Sequence, residues 1–319
     1  MRYVELGSSG IRVSRVIMGT WQTGKAMWVG IEDAESTRAI RAAFDAGINT
    51  FDTAEYYGHG HSERVLGEAL ANERDRVVYA TKVFPNHLRH DQVLKACHAS
   101  LRNLKTDVID LYQIHWPAGS FGTPKVPIEE TMGALNELKA QGKIRAIGVS
   151  NFSRAQLEEA LRYGPIESLQ PPYSLFWRQV ERDAVPLCTD RGITVLAYSP
   201  MAQGILAGRF GPGHVFEKGD HRAGHRLFQP ENFARVQVAL DRLRPIAEGK
   251  GITLGQLALA WVISHPNTCA IAGARSEPQI LESAAAAGIA LSSEDLGEMD
   301  AIGRSVTDLL DDDPVQWAF

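Results

Sequence analysis

The stretch FDTAEYYGHG, residues 51–60, ends an apolar run on an acid, then sets two tyrosines and two glycines close behind it. Lys82 and His115 follow further along the chain, each just after another apolar run. Alone, each polar residue has an ordinary explanation. Asp52 could cap a turn, Tyr57 before Gly58 could belong to that turn, Lys82 could be a solvated charge, and His115 beside Trp116-Pro117 could be a satisfied core histidine. Together they suit proton transfer. A free phenol has a pKa of about 10, too high for an acid–base group matched to neutral pH. A neighbouring ammonium favours phenolate and lowers that value. A buried lysine in turn needs a counter-charge, which Asp52 can supply. The expectation is a relay in which Lys82 lowers the Tyr57 pKa, Asp52 balances Lys82, and His115 orients a substrate oxygen.

Such a relay requires elements that bring distant residues to one place. Short apolar runs occur at 16–18, 49–51, 77–80, 108–114, 144–149, 166–169, 193–197 and 268–272. Helical periodicity follows each, at 33–46, 62–70, 90–104, 127–141, 153–163, 180–191, 254–265 and 277–287. Ser153 is placed to cap a helix, and Gly47 and Gly142 to end two others. Eight strand-then-helix units with uncharged strand interiors predict a (β/α)₈ TIM barrel, in which functional groups gather at the C-terminal strand ends. Asp52, Tyr57, Lys82 and His115 fall at equivalent points of consecutive units. Later units contribute Ser150 and Asn151, Gln170, Tyr198 and Ser199, then Gly273, Ala274 and Arg275.

The first residues, with Gly7-Ser8-Ser9-Gly10 between alternating segments, predict an N-terminal β-hairpin. A long connection, 199–251, separates the seventh strand from its helix and contains one extra helix at 233–248. Connections of that length are usually lids or binding loops. The reading is of a single domain over 1–319.

Composition fits a globular protein, with 44% hydrophobic and 22% charged residues and a net charge of −5. No basic block points to nucleic acid. Three scattered cysteines, Cys97, Cys188 and Cys269, and an N-terminus without an apolar signal core point to a reducing cytoplasm. No uncharged apolar run approaches the ~20 residues of a membrane span.

The motifs FDTAEYYG, ATKV (80–83), LYQIHWP (111–117), GKIRAIGVSNFS (142–153), QPPYSLF (170–176), AYSPMAQGIL (197–206) and IAGARSEPQ (271–279) resemble those of the aldo-keto reductases, in family order and across nearly the whole chain. Their phrasing is most similar to a bacterial branch of general-stress and inositol- or sugar-related reductases. The resemblance implies a catalytic tetrad of Asp52, Tyr57, Lys82 and His115, reducing aldehydes or ketones with NADPH. It also implies an extended cofactor site. Gly19, Thr20, Trp21 and Asp52 would border the nicotinamide ribose. Asn151 and Gln170, with Ser150 beside them, would hold the carboxamide, and Tyr198 would stack on the ring. Ser199, Pro200, Met201, Gly204 and Leu206 would wrap the pyrophosphate, with Arg209 and Lys218 closing over it. Gly273, Ala274, Arg275 and Gln279 would receive the adenosine end. Arg275, at a helix start, suits a phosphate and so favours NADPH over NADH. Ser283 departs from the family, where Asn is common near the adenine. The small carbonyl substrate would meet Trp21, Trp28 and Trp116 beside Tyr57 and His115. The family also covers nucleotide-sensing channel β-subunits, an alternative reading as a binding module.

Other motifs carry less. No GxGxxG follows a strand, so a Rossmann domain is unsupported. His59 and His61 form an HxH that could open a metal-dependent hydrolase site, but no further ligand series follows; no metal is expected. HRAGH at 221–225 reads as a polar loop, and LLDDDP at 309–314 as a solvated acidic tail. Phe121, Trp177, Phe210 and Phe216 are expected near the same rim, and Trp317 and Phe319 close the chain.

Overall fold

A computed structural model describes residues 1–26 and 28–313; Trp317 and Phe319 lie outside the described residues. The chain opens with an antiparallel hairpin, β1 (Tyr3–Glu5) and β2 (Arg12–Ser14). Eight parallel strands then close a barrel: β3 (Val16–Gly19), β4 (Thr50–Asp52), β5 (Val78–Val83), β6 (Ile109–Ile114), β7 (Ile144–Ser150), β8 (Ser168–Gln170), β9 (Thr194–Tyr198) and β10 (Thr268–Gly273), which pairs back onto β3. The (β/α)₈ barrel and its hairpin are as expected from the sequence.

Helices α1 (Asp33–Asp45), α2 (His61–Ala69), α3 (His90–Asn103), α4 (Ile128–Ala140), α5 (Arg154–Ala160) and α6 (Ala184–Arg191) follow successive strands. The long connection after β9 holds short 3₁₀ turns and α7 (Pro230–Gly249), before α8 (Leu254–Ser264), α9 (Glu277–Ala285) and α10 (Ser293–Thr307). Reciprocal capping boxes start α5 (Ser153 with Gln156), α8 (Thr253 with Gln256) and α10 (Ser292 with Asp295). Each satisfies two amide N–H groups that a helix start leaves open.

Strand alternation divides the core. Outward residues such as Phe51, Tyr79, Tyr112 and Leu169 pack against the helices. Inward residues Ile17, Val78, Ala80, Leu111, Leu196 and Cys269 pack with Leu6, Ile11 and Val13 of the hairpin segment. Thr194, the first residue of β9, accepts from the Gly7 amide at 2.8 Å and donates to the Glu5 carbonyl at 3.2 Å. The hairpin therefore closes the N-terminal mouth of the barrel and leaves the C-terminal mouth open.

Several boundaries differ from the sequence reading. Strands β4, β5, β7 and β10 run on through Asp52, Lys82, Ser150 and Gly273, because ladder pairing continues where the apolar run stops. Helix α6 starts at Ala184 rather than Val180, since Gln179–Glu181 forms a separate 3₁₀ turn and Asp183 leaves the helical region at φ −114°, ψ −88°. Helix α10 had no counterpart in the sequence reading. The acidic tail is exposed yet ion-paired: Arg226 holds Asp311 and Asp313, and Arg182 meets Asp312 at 3.4 Å.

Candidate active site

Inward parity sets the floor of the open mouth. Continuing along each strand, the residues above the apolar layer are Asp52, Lys82, Gln113, Gly148 and Gln170. Polar side chains buried here must satisfy one another. Lys82, fully buried, donates to Asp52 Oδ1 at 2.6 Å, the Thr53 carbonyl at 2.7 Å and the Tyr57 hydroxyl at 3.4 Å, which uses all three of its N–H groups. Asp52 Oδ2 accepts from Gln170 at 2.9 Å and Gln113 at 3.4 Å. Gly148 makes room for this layer, since a Cβ there would lie 2.9 Å from the Gln113 side chain and 2.3 Å from Ser168 Oγ.

Tyr57 hangs from the β4–α2 loop. Gly58 has φ +63°, and a Cβ on it would come within 2.4 Å of the Gly24 carbonyl oxygen. A Cβ on Gly24 would reach the Tyr57 backbone at 2.7 Å. These two glycines let the loops cross and lock the backbone beside the phenol. The Tyr57 and His115 rings meet edge to face, with centroids 5.6 Å apart. The four residues expected to form the proton relay are thus brought together.

Their electrostatics depart from expectation at one point. The Tyr57 pKa is pushed up, not down, chiefly by burial and then by the Asp52 carboxylate. The Lys82 ammonium sits nearby, but Asp52 compensates its charge. Burial lowers the Lys82 pKa, and Asp52 works against that shift. His115 is held well below the ordinary histidine value by burial and the Lys82 charge. The resting site pairs a protonated phenol with a neutral imidazole.

Above this floor lies a cavity of about 610 Å³. Its wall includes Gly19, Trp21, Trp28, Asp52, Tyr57, His115 and Trp116. It continues through Ser150, Asn151, Gln170, Tyr198, Ser199, Pro200 and Met201, then Gly204, Arg209, Gly273, Arg275 and Gln279. Four of the residues expected at the site lie behind that wall. Lys82 is beneath it, and Leu206 and Ala274 are core residues. Thr20 donates to the Asp52 carbonyl at 2.9 Å and so supports the floor from outside. Lys218 is exposed and off the wall.

Two expected cofactor contacts are already engaged within the protein. Asn151, at φ +61°, donates to the His115 carbonyl and Ser150 Oγ, each at 3.0 Å, and accepts from the Tyr198 hydroxyl at 2.9 Å. Gln170 gives its amide to Asp52. A carboxamide would share or exchange these bonds. Ser283 lines the far end and donates to the Gln279 carbonyl at 3.0 Å, while Gln279 Oε1 accepts from the Arg275 amide at 2.9 Å.

The long connection folds back over the mouth. His221 packs on Trp21 and Trp28 at 4.7 and 4.6 Å, and the Arg222 guanidinium lies over Trp28 at 5.5 Å. HRAGH is therefore part of the wall and core rather than a polar loop: His225 is fully buried and accepts from the Leu227 amide at 3.1 Å. Trp177 is likewise buried in the outer core, away from the rim. His61 approaches Asp33 at 2.8 Å. The sequence reading missed Gln22, Gln113, Gln203, His221 and Arg222. Gln113 was detectable, because it has the same strand parity as Leu111 and His115; the loop residues carry no comparable periodic signal.

The cavity fits an anionic dinucleotide on its own features. Arg209, Arg222 and Arg275 line the cavity close enough to interact, Arg222 being itself paired with Asp220. Burial, then the Arg222 charge, lowers the Arg275 pKa, while Asp220 and Glu217 work against that shift. Three wall residues, Gln22 through Oε1, Trp28 through Nε1 and His115 through Nδ1, hold buried polar atoms without a partner among the described residues. Gly273 has no Cβ, and one there would lie 2.3 Å from the Gln22 amide.

Residues 15–304 match the model of the Aldo/keto reductase family. Aldo-keto reductase YhdN of Bacillus subtilis is 37% identical over 95% of this chain and 93% of its own. The NADH-specific methylglyoxal reductase of Escherichia coli is 36% identical over 92% and 96%. A Klebsiella pneumoniae aldo-keto reductase solved with NADPH superposes with a TM-score of 0.77, at 32% identity, covering 100% of this chain and 99% of that one.

The depressed His115 pKa sets a test by pH. The unfolded chain takes up a proton near pH ~6.5 that folded His115 refuses. Its stabilisation is therefore present above that pH and lost as pH falls below it, by up to about 1.4 kcal/mol per unit. His87, raised by its bond to Glu55, has the opposite sign: its contribution is present at low pH and fades as pH rises through its folded value. Denaturant unfolding of wild type and His115→Gln between pH 7 and 5 should give a stability difference that shifts in favour of the variant as pH falls. A pH-independent difference would contradict a neutral buried imidazole.

Proposed function

This chain belongs to the aldo/keto reductase family, and on that premise we propose that it reduces aldehydes or ketones to alcohols with NADPH, using Tyr57 as proton donor. One observation carries the reading: the Tyr57 hydroxyl, 3.4 Å from an ammonium itself 2.6 Å from Asp52, stands on the cavity floor beside His115. When bound, a reduced nicotinamide supplies hydride to the carbonyl carbon. The chain's own groups handle the oxygen. Because Lys82 donates to the Tyr57 oxygen, the phenol proton is left to point at a substrate carbonyl. His115, neutral, offers a ring N–H without adding a positive charge that would compete with the phenol. As negative charge develops on the carbonyl oxygen, Tyr57 transfers its proton. The Lys82 ammonium then stabilises the forming phenolate more than it stabilised the phenol, so the interaction favours the transition state.

Asn151, Gln170 and Tyr198 are the residues to hold and face the nicotinamide, and Gln22 Oε1 is a free acceptor along the same wall. Ser199–Gly204 would take the pyrophosphate; Ser199, Ala202, Gln203 and Gly204 all have positive φ, a conformation that aims backbone groups unusually. Arg275, with Arg209 and Arg222, favours a cofactor bearing an additional phosphate. The relatives' names differ on this point, NADH for one and NADPH for another, so these arginines support the preference. The substrate is a small carbonyl compound met on the Trp21, Trp28 and Trp116 side.

Tyr57→Phe should lower kcat by about 10²–10⁴-fold while leaving NADPH affinity near wild type. Turnover that survives in Tyr57→Phe would remove the proton-donor role; loss of NADPH binding would make the residue structural instead. Arg275→Ala should weaken NADPH by at least about tenfold more than NADH, read by fluorescence titration, as loss of a charge-assisted phosphate contact implies. Equal weakening of both cofactors would remove the phosphate contact.

A further inference from the structure

One wall of the cavity is built almost wholly of aromatic rings, and neither proton transfer nor cofactor binding uses them. Tyr56 and Phe84 stack at 4.0 Å with their planes 9° apart. Phe84 and Phe121 stack in turn at 5.9 Å and 11°. Phe84 also meets His115 edge-on at 5.7 Å, and Trp116 meets Phe121 edge-on at 5.1 Å. The ladder therefore starts at the reacting floor and climbs to the mouth, where Tyr56 and Phe121 are 44% and 48% exposed. All four residues line the cavity.

Phe121 is held there against its backbone preference. Its φ is +56° and ψ 30°, a region that bulky L-residues rarely enter. Gly119 (φ +85°) and Gly122 (φ +70°) flank it and take the rest of the turn. Strain of this kind collects at ligand clamps. Trp21 and Trp28, with centroids 5.3 Å apart, also line the cavity, and Trp21 lies 6.4 Å from Tyr57. The cavity thus carries aromatic rings from both groups, with Tyr57 close to Trp21 and to His115. Its ladder wall offers few polar atoms, chiefly the Tyr56 hydroxyl and the Trp116 indole N–H. A polyhydroxylated carbonyl would lose water here and find few partners, whereas a flat apolar body would gain ring contacts.

We propose that this enzyme prefers carbonyl groups carried on a planar aromatic body, and that Phe121 is a specificity-determining residue stacking on the end of that body away from the carbonyl. This rests on the carbonyl-reductase reading and names its substrate class. The test uses the full chain with NADPH and compares kcat/KM for 2-naphthaldehyde and propanal, in wild type, Phe121→Ala and Phe121→Tyr. The expected result is a ratio, naphthaldehyde over propanal, that falls about tenfold in Phe121→Ala and is kept in Phe121→Tyr, which retains the ring. Comparing ratios between proteins cancels the intrinsic reactivity of the two aldehydes. A ratio that Phe121→Ala leaves unchanged, or that falls equally in Phe121→Tyr, would overturn the stacking role while propanal turnover still upheld the reductase. No turnover of either aldehyde by wild type would instead overturn the reductase reading, and this proposal with it.

Discussion

The site depends on two opposite charges held out of water inside a barrel. Lys82 is fully buried, and the Asp52 carboxylate that balances it is nearly so. Removing such ions from solvent is unfavourable, and their attraction repays it only where the remaining donors and acceptors are also satisfied. Here they are. Gln113 and Gln170 cover the second carboxylate oxygen, and the Thr53 carbonyl takes another lysine proton. The last lysine N–H reaches Tyr57. One network joins residues of β4, β5, β6 and β8 and ends on the phenol at the floor of the cavity. It also decides the phenol's resting state. Because Asp52 compensates the ammonium, burial governs Tyr57 and keeps its proton on. A proton retained until oxygen charge develops is the state a donor requires.

Two constructions make this arrangement possible. The hairpin fills the N-terminal mouth with Leu6, Ile11 and Val13, so the polar layer sits between an apolar plug and an open cavity. Close backbone crossings then fix the loops. Gly148 clears space for Gln113, and Gly24 with Gly58 lets the Tyr57 loop cross the segment after β3. The long connection completes the mouth by packing His221 and Arg222 on Trp21 and Trp28, far from them in sequence.

The barrel was readable from the sequence because buried parallel strands are short apolar runs and each carries its helix behind it. Asp52, Tyr57, Lys82 and His115 were readable as a group because they recur at one point of consecutive units. Their energetics were not. Whether Lys82 lowers or fails to lower the phenol's pKa depends on how closely Asp52 compensates it, a matter of distance that residue spacing does not carry. Gln113 was hidden by its place inside an apolar run, though strand parity aims it inward. His221 and Arg222 belong to a Gly-rich loop with no period, and only tertiary packing brings them to the wall. Helix α10 has a clear Ser292–Asp295 cap, but many charged residues dilute its apolar stripe. The acidic tail is exposed, as its composition suggested; its ion pairs were not readable because the partners, Arg182 and Arg226, lie far back in the chain.

The most direct test of this account is a double-mutant cycle on the buried pair, measured by denaturant unfolding with Asp52→Asn, Lys82→Met and both together. Each single variant should lose about 3–5 kcal/mol, since each strands a buried charge, and the double variant should lose much less than their sum. Losses that simply add would contradict it, because they would mean that Lys82 and Asp52 do not hold each other in place beneath Tyr57.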